Sequence, residues 1–398
     1  MSPSSSSSVS RFRWCALAVF VLCTAINYLD RQTLATLAPA ICAEFHLSDT
    51  QYGLILSAFS IAYALSAPLA GMLIDRVGLN LGIGLAVGMW SCAGIATGFT
   101  RGLGGLVGCR AVLGVAEAGG IPGAGKAIHQ YLKPGERALG NAVNQAGVSL
   151  GAMLAPLVAT WLWIRFGWRN AFVATGLLGL AWIPIWSWTA RRGGAAAPPK
   201  APPAASAGML RDRRLWAFVA ANALAMTAYS LWTNWTTKYL VTRHHLTLLQ
   251  SAWYAWIPPV AALLGGFAGG ALSLRLIKRG VPAPAARFRA CLIAAALALA
   301  AAAIPAAPTA AWATAGISLS FAAVSAFSVN MYSLPLDVFG GARAAFAVSI
   351  LVASYGAAQA LVSPAFGRIV ELYGYTPLMF VAAVTPLAAC AALRRSVR

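Results

Sequence analysis

The sequence predicts an all-α protein that crosses a membrane many times. Of its 398 residues, 60% are hydrophobic and only 10% are charged, and the mean hydropathy is +0.72. A soluble domain carries about 25% charged residues, so this composition cannot cover a water-exposed surface. Apolar runs of about 20 residues, the length that a helix needs to cross the hydrocarbon core, recur along the whole chain. An ordinary soluble domain is therefore excluded.

The apolar runs predict twelve membrane-spanning helices in two sets of six. The predicted spans are 14–38, 51–73, 80–99, 104–127, 138–163, 169–189, 215–240, 249–273, 288–306, 310–335, 344–367 and 376–393. A polar, Pro-rich segment in 191–214 is too poor in large apolar side chains to pack and reads as a flexible linker. The sequence therefore predicts a tail (1–13), a six-helix bundle (14–190), a linker (191–214), a second six-helix bundle (215–393) and a tail (394–398).

The positive charge of the chain predicts its orientation. The 29 Lys and Arg residues against 9 Asp and Glu residues give a net charge of +20, which alone would also suit a nucleic-acid-binding protein. With the N-terminus placed in the cytoplasm, 20 of the basic residues fall in inner segments and six in outer segments. This bias follows the positive-inside rule and predicts two cytoplasmic termini. Nucleic-acid binding is not needed to explain the charge.

The two sets of six spans resemble each other. Pro156 and Phe172 are separated as Pro364 and Phe380 are, and an aromatic-Gly-aromatic triplet lies at the matching place between each pair. A second echo follows the second span of each half, with PLAGMLIDRVG at one place and GGFAGGALSLRLIKRG at the other. Two echoes at matching places indicate a duplicated six-span unit. Two parallel repeats of this kind are typical of major facilitator transporters, whose two bundles are pseudo-symmetric.

A short motif between the second and third spans resembles the cytoplasmic gating motif of that superfamily. Its matching residues are Gly71, Asp75, Arg76 and Gly78. The second-half copy has Leu274 where an Asp is usual, so the resemblance implies weaker gate contacts on that side.

Three longer runs resemble the anion:cation symporter branch of the superfamily, nearest to its hexuronate and galactonate-type sugar-acid proton symporters. They are NYLDRQTL (27–34), YGLILSAFSIAYALSAPLAG (52–71) and RAVLGVAEAGGIPGAGKAI (110–128). The resemblance implies a proton-coupled symporter of a small organic anion in a bacterial inner membrane, working as a monomer without cofactor or metal. Val148 and Ala357 stand where galactonate-type relatives have amides, which favours a smaller or more apolar carboxylate.

Four ionisable residues lie clearly inside predicted spans: Asp30, Arg31, Arg110 and Glu117. Each costs about 2.5–3.5 kcal/mol at mid-membrane on insertion scales, so such residues usually pair or face a wet cavity. They are the main candidates for substrate binding and proton coupling. The alternative is that they form ion pairs that only stabilise the packing of the helices.

Arg31 is the candidate for binding the anion. It shares one helix stripe with Thr24, Asn27 and Tyr28, which gives a polar face in an otherwise apolar helix. An arginine can hold a carboxylate through two parallel hydrogen bonds. The alternative, an arginine that neutralises Asp30 or Glu117, stays open.

The acidic residues are the candidates for proton coupling. Arg110 and Glu117 are seven residues apart on one helix face, about 10 Å along the axis, which is too far for a direct pair. Counting from the membrane surfaces places Arg110 at the depth of Asp30, so we expect an Asp30–Arg110 pair with Glu117 deeper. The resemblance implies proton-coupling roles for Asp30 and Glu117.

Further substrate contacts are expected from aromatic, amide and hydroxyl groups. Tyr28 and Tyr63 match positions that contact the sugar acid in the resembling family, although Tyr63 could equally be a packing residue. In the second half, Gln250, Tyr332 and Gln359 offer groups suited to a polyol.

Other function classes remain as alternatives. An exporter or exchanger on the same scaffold is the nearest alternative. A non-transporting membrane sensor is a remote alternative, and no enzyme is expected because no catalytic triad or metal cluster is placed by the sequence.

Overall fold

The computed structural model describes residues 3–133, 136–192 and 209–394. These residues contain no β-strand and form thirteen α-helices. The helices are α1 Pro3–Glu44, α2 Asp49–Val77, α3 Leu79–Thr97, α4 Leu103–Glu117, α5 Gly120–Tyr131, α6 Arg137–Arg192, α7 Arg213–His244, α8 Leu248–Ala255, α9 Ile257–Lys278, α10 Ala283–Ala298, α11 Ala310–Phe339, α12 Gly341–Tyr373 and α13 Thr376–Leu393. Most of the predicted linker, residues 193–208, and the last four residues lie outside the described residues.

The helices are long and apolar enough for many membrane crossings. Among the described residues, ten helical segments meet the length and hydropathy expected of a span. One of them, Leu139–Arg192, has 54 residues, about 80 Å at 1.5 Å per residue, which is enough for two crossings. Gly167 interrupts it with a φ of 82° and a ψ of 161°, a conformation that glycine adopts without strain. The predicted all-α, multi-span fold is confirmed.

Two predicted spans are interrupted rather than continuous. The span predicted over 104–127 is formed by α4 and α5, which are separated at Ala118 and Gly119. Pro122 has no N–H to donate to the carbonyl of Ala118, so the helical hydrogen bond is missing at this place. The span predicted over 249–273 is similarly divided between α8 and α9, where Pro258 and Pro259 follow the break.

Contacts divide the chain into two compact units. Unit 1 contains Met1–Leu37 and Ala58–Ala201, and unit 2 contains Ala38–Ser57 and Pro202–Arg398. The end of α1 and the beginning of α2 therefore belong to unit 2 by their contacts. The domain borders expected from the sequence, which place 14–190 together, stay a prediction.

Unit 1 has an aromatic core that fixes α6 against its neighbours. Trp182 and Trp186 of α6 stack with centroids 5.4 Å apart, and Phe20 and Tyr131 meet the Trp186 ring edge-on. Trp182 Nε1 donates a 2.6 Å hydrogen bond to the carbonyl of Val19 in α1. These contacts hold α6 beside α1, where the site described below is found.

Unit 2 depends on a close approach of α9 and α11. A Cβ atom on Gly265 would lie 2.1 Å from the carbonyl oxygen of Ala322, and one on Gly269 would lie 2.6 Å from Ala326 Cα. Asn330 Nδ2 donates a 3.0 Å hydrogen bond to the carbonyl of Gly269 across the same contact. Small residues allow this approach, as in many membrane helix pairs.

Gly265→Ala is expected to destabilise unit 2 by about 1–3 kcal/mol, because α9 and α11 must separate to admit the methyl group. The readout is the thermal unfolding temperature of the detergent-purified protein. Gly270→Ala is the matched control, since its Cβ would lie 3.8 Å from Val329 Cγ1. Equal unfolding temperatures for the two variants would contradict the close contact.

Polar contacts fix residues 49–57 within unit 2. Lys238 forms an ion pair with Asp49, and its ammonium group lies 5.5 Å from the ring centroid of Tyr52. The Tyr52 hydroxyl donates a 2.9 Å hydrogen bond to the carbonyl of Asn234. Lys238 is only 8% exposed, so its charge depends on nearby carboxylates, of which Asp49 is the ion-pair partner and Glu371 a further electrostatic neighbour.

Asp49→Asn is expected to lower the unfolding temperature by a few degrees, because Lys238 would keep a buried charge without its carboxylate. The double variant Asp49→Asn with Lys238→Met removes both charges and should recover much of the loss. A double-mutant cycle on unfolding temperatures measures the coupling. Additive effects of the two single variants would contradict an energetic pair.

Candidate functional site

Four ionisable side chains of unit 1, two on α1 and two on α4, form the candidate site, and three of them are buried. Asp30 is 2% exposed, Arg110 is 4% exposed and Glu117 is 1% exposed. The side chain of Arg31 differs because 22% of it is exposed. The guanidinium of Arg31 is thus the charged group of this set with access to solvent.

Arg31 and Glu117 form an ion pair between α1 and α4. Arg31 Nη2 lies 2.5 Å from Glu117 Oε2, and Arg31 Nε donates to the same oxygen at 2.8 Å. The other carboxylate oxygen, Glu117 Oε1, is buried and has no hydrogen-bond partner. Both donors therefore converge on one oxygen, rather than each taking one oxygen as in a fork-to-fork pair.

Three aromatic rings surround the Arg31 guanidinium. Its carbon lies 4.9 Å from the ring centroid of Tyr28, 4.7 Å from that of Phe59 and 5.5 Å from that of Tyr63. Each distance suits a cation–π contact. Tyr28 and Tyr63 were expected near the site, whereas Phe59 was missed. Its position four residues before Tyr63 places both rings on one face of α2, a signal that is equally common in packing helices.

Asp30 has a separate set of neighbours. Thr175 of α6 donates a 2.8 Å hydrogen bond from Oγ1 to Asp30 Oδ1. Arg110 interacts electrostatically with Asp30 and with Glu117, and its guanidinium carbon lies 5.6 Å from the ring centroid of Phe172. Thr175 was missed because a single Thr in an apolar helix has no distinctive pattern.

The polar stripe expected on α1 is present but has an additional partner. Thr24 donates a 2.9 Å hydrogen bond to Asn144 Oδ1 of α6, a residue that the sequence did not single out. Asn27 is buried, and its Nδ2 has no hydrogen-bond partner. Asn27 thus brings an unused donor to the helix face that carries Arg31.

The candidate gating motif lies at the junction of α2 and α3. Gly78 has a φ of 87° and separates the two helices, which explains the glycine at this position. Lys126 of α5 donates a 2.9 Å hydrogen bond from Nζ to the carbonyl of Ile74. Gly71 and Arg76 lie in the last turns of α2, and the side chain of Asp75 lies outside the described residues.

The predicted contacts from the second half lie in unit 2. Gln250 is exposed and completes a capping box with Thr247 at the start of α8, which explains the amide without a substrate. Tyr332 of α11 and Gln359 of α12 are half-buried. Tyr332 and Gln359 therefore stay predictions, and Gln250 has a structural use of its own.

The comparisons with known proteins agree with this arrangement. The model of the Major Facilitator Superfamily matches residues 20–351. The hexuronate transporter of Escherichia coli K12 is 28% identical over 95% of this chain and 92% of its own length. A Cupriavidus necator protein named "Probable sulfoacetate transporter SauU" is 30% identical over 92% of this chain and 89% of its own.

The fold also matches a solved structure. A bacterial homolog of the human lysosomal transporter Spinster, in an inward-facing and unoccupied conformation, superposes with a TM-score of 0.74. The match covers 97% of this chain and 95% of that one at 21% identity, which supports the fold alone. Since the superfamily match spans most of the described helices, the chain belongs to the Major Facilitator Superfamily and is a multi-pass membrane transporter.

Proposed function

We propose that the protein is a proton-coupled symporter that imports a small organic anion by alternating access. The observation that carries this proposal is the Arg31–Glu117 ion pair, whose arginine is partly exposed among three aromatic rings while its glutamate is buried. A guanidinium in this setting can bind a substrate carboxylate through two hydrogen bonds. Glu117 occupies those donors when no substrate is bound.

Competition for Arg31 couples the anion to the proton. The substrate carboxylate and ionised Glu117 both need the guanidinium, and a buried carboxylate without a cation is strongly unfavourable. Protonation of Glu117 removes its charge and releases Arg31 to the substrate. Anion and proton therefore bind together, and the net charge of the loaded site equals that of the empty site.

Asp30 provides the second proposed proton site. It is buried beside Arg110, and it interacts electrostatically with Glu117. Protonation of either carboxyl group changes the electrostatic balance of the other, so the two sites titrate as a coupled pair. Arg110 keeps the ionised state of Asp30 available within the membrane.

The proposed substrate is a sugar acid or a smaller carboxylate. The relatives named above are a hexuronate transporter and a probable sulfoacetate transporter. Hexuronates and sulfoacetate are both small anions that carry a carboxylate and further polar oxygen atoms. Val148 and Ala357 reduce the polar groups offered to a polyol and favour the smaller end of this range. We further propose a bacterial inner-membrane location with both termini cytoplasmic, in line with the charge bias of the loops.

Uptake into proteoliposomes tests the proposal. Purified protein is reconstituted, an inward proton gradient is imposed, and uptake of labelled D-galacturonate and sulfoacetate is measured. We expect accumulation of at least one anion above equilibrium, and its loss when a protonophore collapses the gradient. Accumulation that needs an internal counter-anion and ignores the proton gradient would instead support exchange. Binding of either anion without any flux would support a sensor.

A further inference from the structure

We propose that Thr175 is a positioning residue that gives Asp30 a hydrogen bond in both protonation states. This inference rests on the proposed function, because it assumes that Asp30 gains and loses a proton during transport. The hydroxyl of Thr175 donates to Asp30 or Phe172 rather than to Arg31. It acts on the proton through the Asp30 carboxyl group.

The Thr175 hydroxyl has two acceptors within reach. Its Oγ1 lies 2.8 Å from Asp30 Oδ1 on α1 and 3.1 Å from the carbonyl oxygen of Phe172 on its own helix. A hydroxyl carries one proton, so it can donate to only one of the two acceptors at a time. The same oxygen keeps lone pairs and can also accept a hydrogen bond.

This geometry supports two complementary arrangements. When Asp30 is ionised, Thr175 donates its proton to Oδ1. When Asp30 carries a proton on Oδ1, the carboxyl donates to Thr175 Oγ1, and the hydroxyl rotates to donate to Phe172. The heavy atoms need not move, and Asp30 keeps a hydrogen bond in each state.

The burial of both residues makes this hydrogen bond consequential. Thr175 is 1% exposed and Asp30 is 2% exposed, so bulk water does not readily replace a lost partner. On the facing helix α3, a Cβ on Gly94 would lie 3.1 and 3.2 Å from the two Asp30 oxygens. The backbone of α3 therefore lies close to the Asp30 carboxylate, and Gly94 contributes no side chain at this place.

The charged groups around Asp30 also influence its protonation, independently of the Thr175 hydroxyl. Arg110 and Glu117 on α4 both interact with Asp30 electrostatically, and Arg31 is paired with Glu117. These charges are the same in wild-type protein and in variants of Thr175. A change that follows the hydroxyl alone can thus be attributed to Thr175.

The test compares Thr175→Val, which keeps the shape, with Thr175→Ser, which keeps the hydroxyl. Infrared spectroscopy of the purified protein in nanodiscs follows the protonated-carboxyl band against pH, and the band is assigned to Asp30 by its loss in Asp30→Asn. A hydrogen bond favours an ionised acceptor more than a neutral one. We expect the midpoint of the Asp30 band in Thr175→Val to lie about one pH unit above wild type. The frequency of the band should also rise, because the protonated carboxyl group loses the acceptor for its proton. Thr175→Ser should match wild type.

Two outcomes would overturn the inference. One is a protonated Asp30 band that keeps its wild-type frequency in Thr175→Val, because the neutral carboxyl group would then have lost no hydrogen bond, and the other is a Thr175→Ser protein that shifts as far as Thr175→Val. Should valine prevent folding, Thr175→Ala against Thr175→Ser repeats the comparison without the branched side chain.

The same variants separate this inference from the proposed function. The infrared titration needs no substrate, so it can succeed even if no tested anion is transported. If Asp30→Asn leaves the pH profile of D-galacturonate or sulfoacetate uptake unchanged, the proposed proton role of Asp30 fails, and with it the premise of the inference. If Asp30→Asn abolishes the pH dependence and Thr175→Val does not shift it, only the role of Thr175 fails.

Discussion

Arg31→Ala is expected to abolish anion uptake, with a loss of at least about 100-fold in the initial rate at low substrate concentration. Each charge-assisted hydrogen bond from a guanidinium contributes about 1.5–3 kcal/mol, and two such bonds together exceed the 2.8 kcal/mol that corresponds to about 100-fold. Glu117 also loses its ion-pair partner, because Arg31 Nε and Nη2 both donate to Glu117 Oε2. The measurement is initial uptake of labelled D-galacturonate or sulfoacetate into proteoliposomes.

Two further variants separate substrate binding from structural neutralisation of Glu117. Arg31→Lys keeps the charge but loses the fork of donors, so uptake should be reduced rather than abolished. The double variant Arg31→Ala with Glu117→Gln has no unpaired carboxylate, and its unfolding temperature should approach that of wild type. It should still fail to transport. Restored uptake by the double variant would assign Arg31 to structure alone, the alternative that the sequence left open.

The buried charges could be found from the sequence, but the partner of Arg31 could not. The cost of a charge inside an apolar span was enough to single out Asp30, Arg31, Arg110 and Glu117. Helical spacing excluded a direct pair of Arg110 with Glu117. Whether Arg31 neutralises Asp30 or Glu117 depends on the rotation of α1 against α4, which spacing within one helix does not determine.

Three residues near the site could not be predicted from the sequence, and the physical reason is the same for each. Phe59, Asn144 and Thr175 come from α2 and α6, and each lies near the site because of packing between helices. Phe and Thr are ordinary residues of an apolar helix, so their identity carries no signal. Gly176 and Gly179 of α6 pack closely against Ser91 of α3, and Trp182 of α6 donates a hydrogen bond to Val19 of α1, so packing between helices places Thr175 within reach of Asp30.

The fold could be predicted from the sequence more completely than the site, except for the grouping of residues 38–57 with unit 2. The length of an apolar run depends only on local composition, so the helical spans could be predicted. The interruptions near prolines could not, because they depend on which backbone hydrogen bonds are missing. The grouping of residues 38–57 with unit 2 depends on long-range contacts such as Tyr52 with Asn234 and Ser57 with Ala360. No local pattern indicates contacts across more than 180 residues.

Glu117→Gln is expected to abolish proton-driven accumulation while preserving counterflow exchange. The amide is neutral at every pH, as protonated Glu117 is, so it cannot carry a proton between the two faces of the membrane. Arg31 is no longer occupied by a carboxylate and remains available to the substrate. Accumulation under an imposed proton gradient should therefore fall to the equilibrium level, whereas exchange of labelled for unlabelled anion should continue at a rate near that of wild type.

Asp212→Asn is the matched control for removing one negative charge. Asp212 caps α7 by accepting a hydrogen bond from the Arg214 N–H, and asparagine caps helices equally well. Accumulation and exchange by Asp212→Asn should both match wild type.

Normal accumulation by Glu117→Gln would show that the proton is carried elsewhere, and Asp30 would become the main candidate. Loss of both accumulation and exchange would instead place Glu117 in substrate binding or folding, because competition for Arg31 requires exchange to survive when the competing charge is removed.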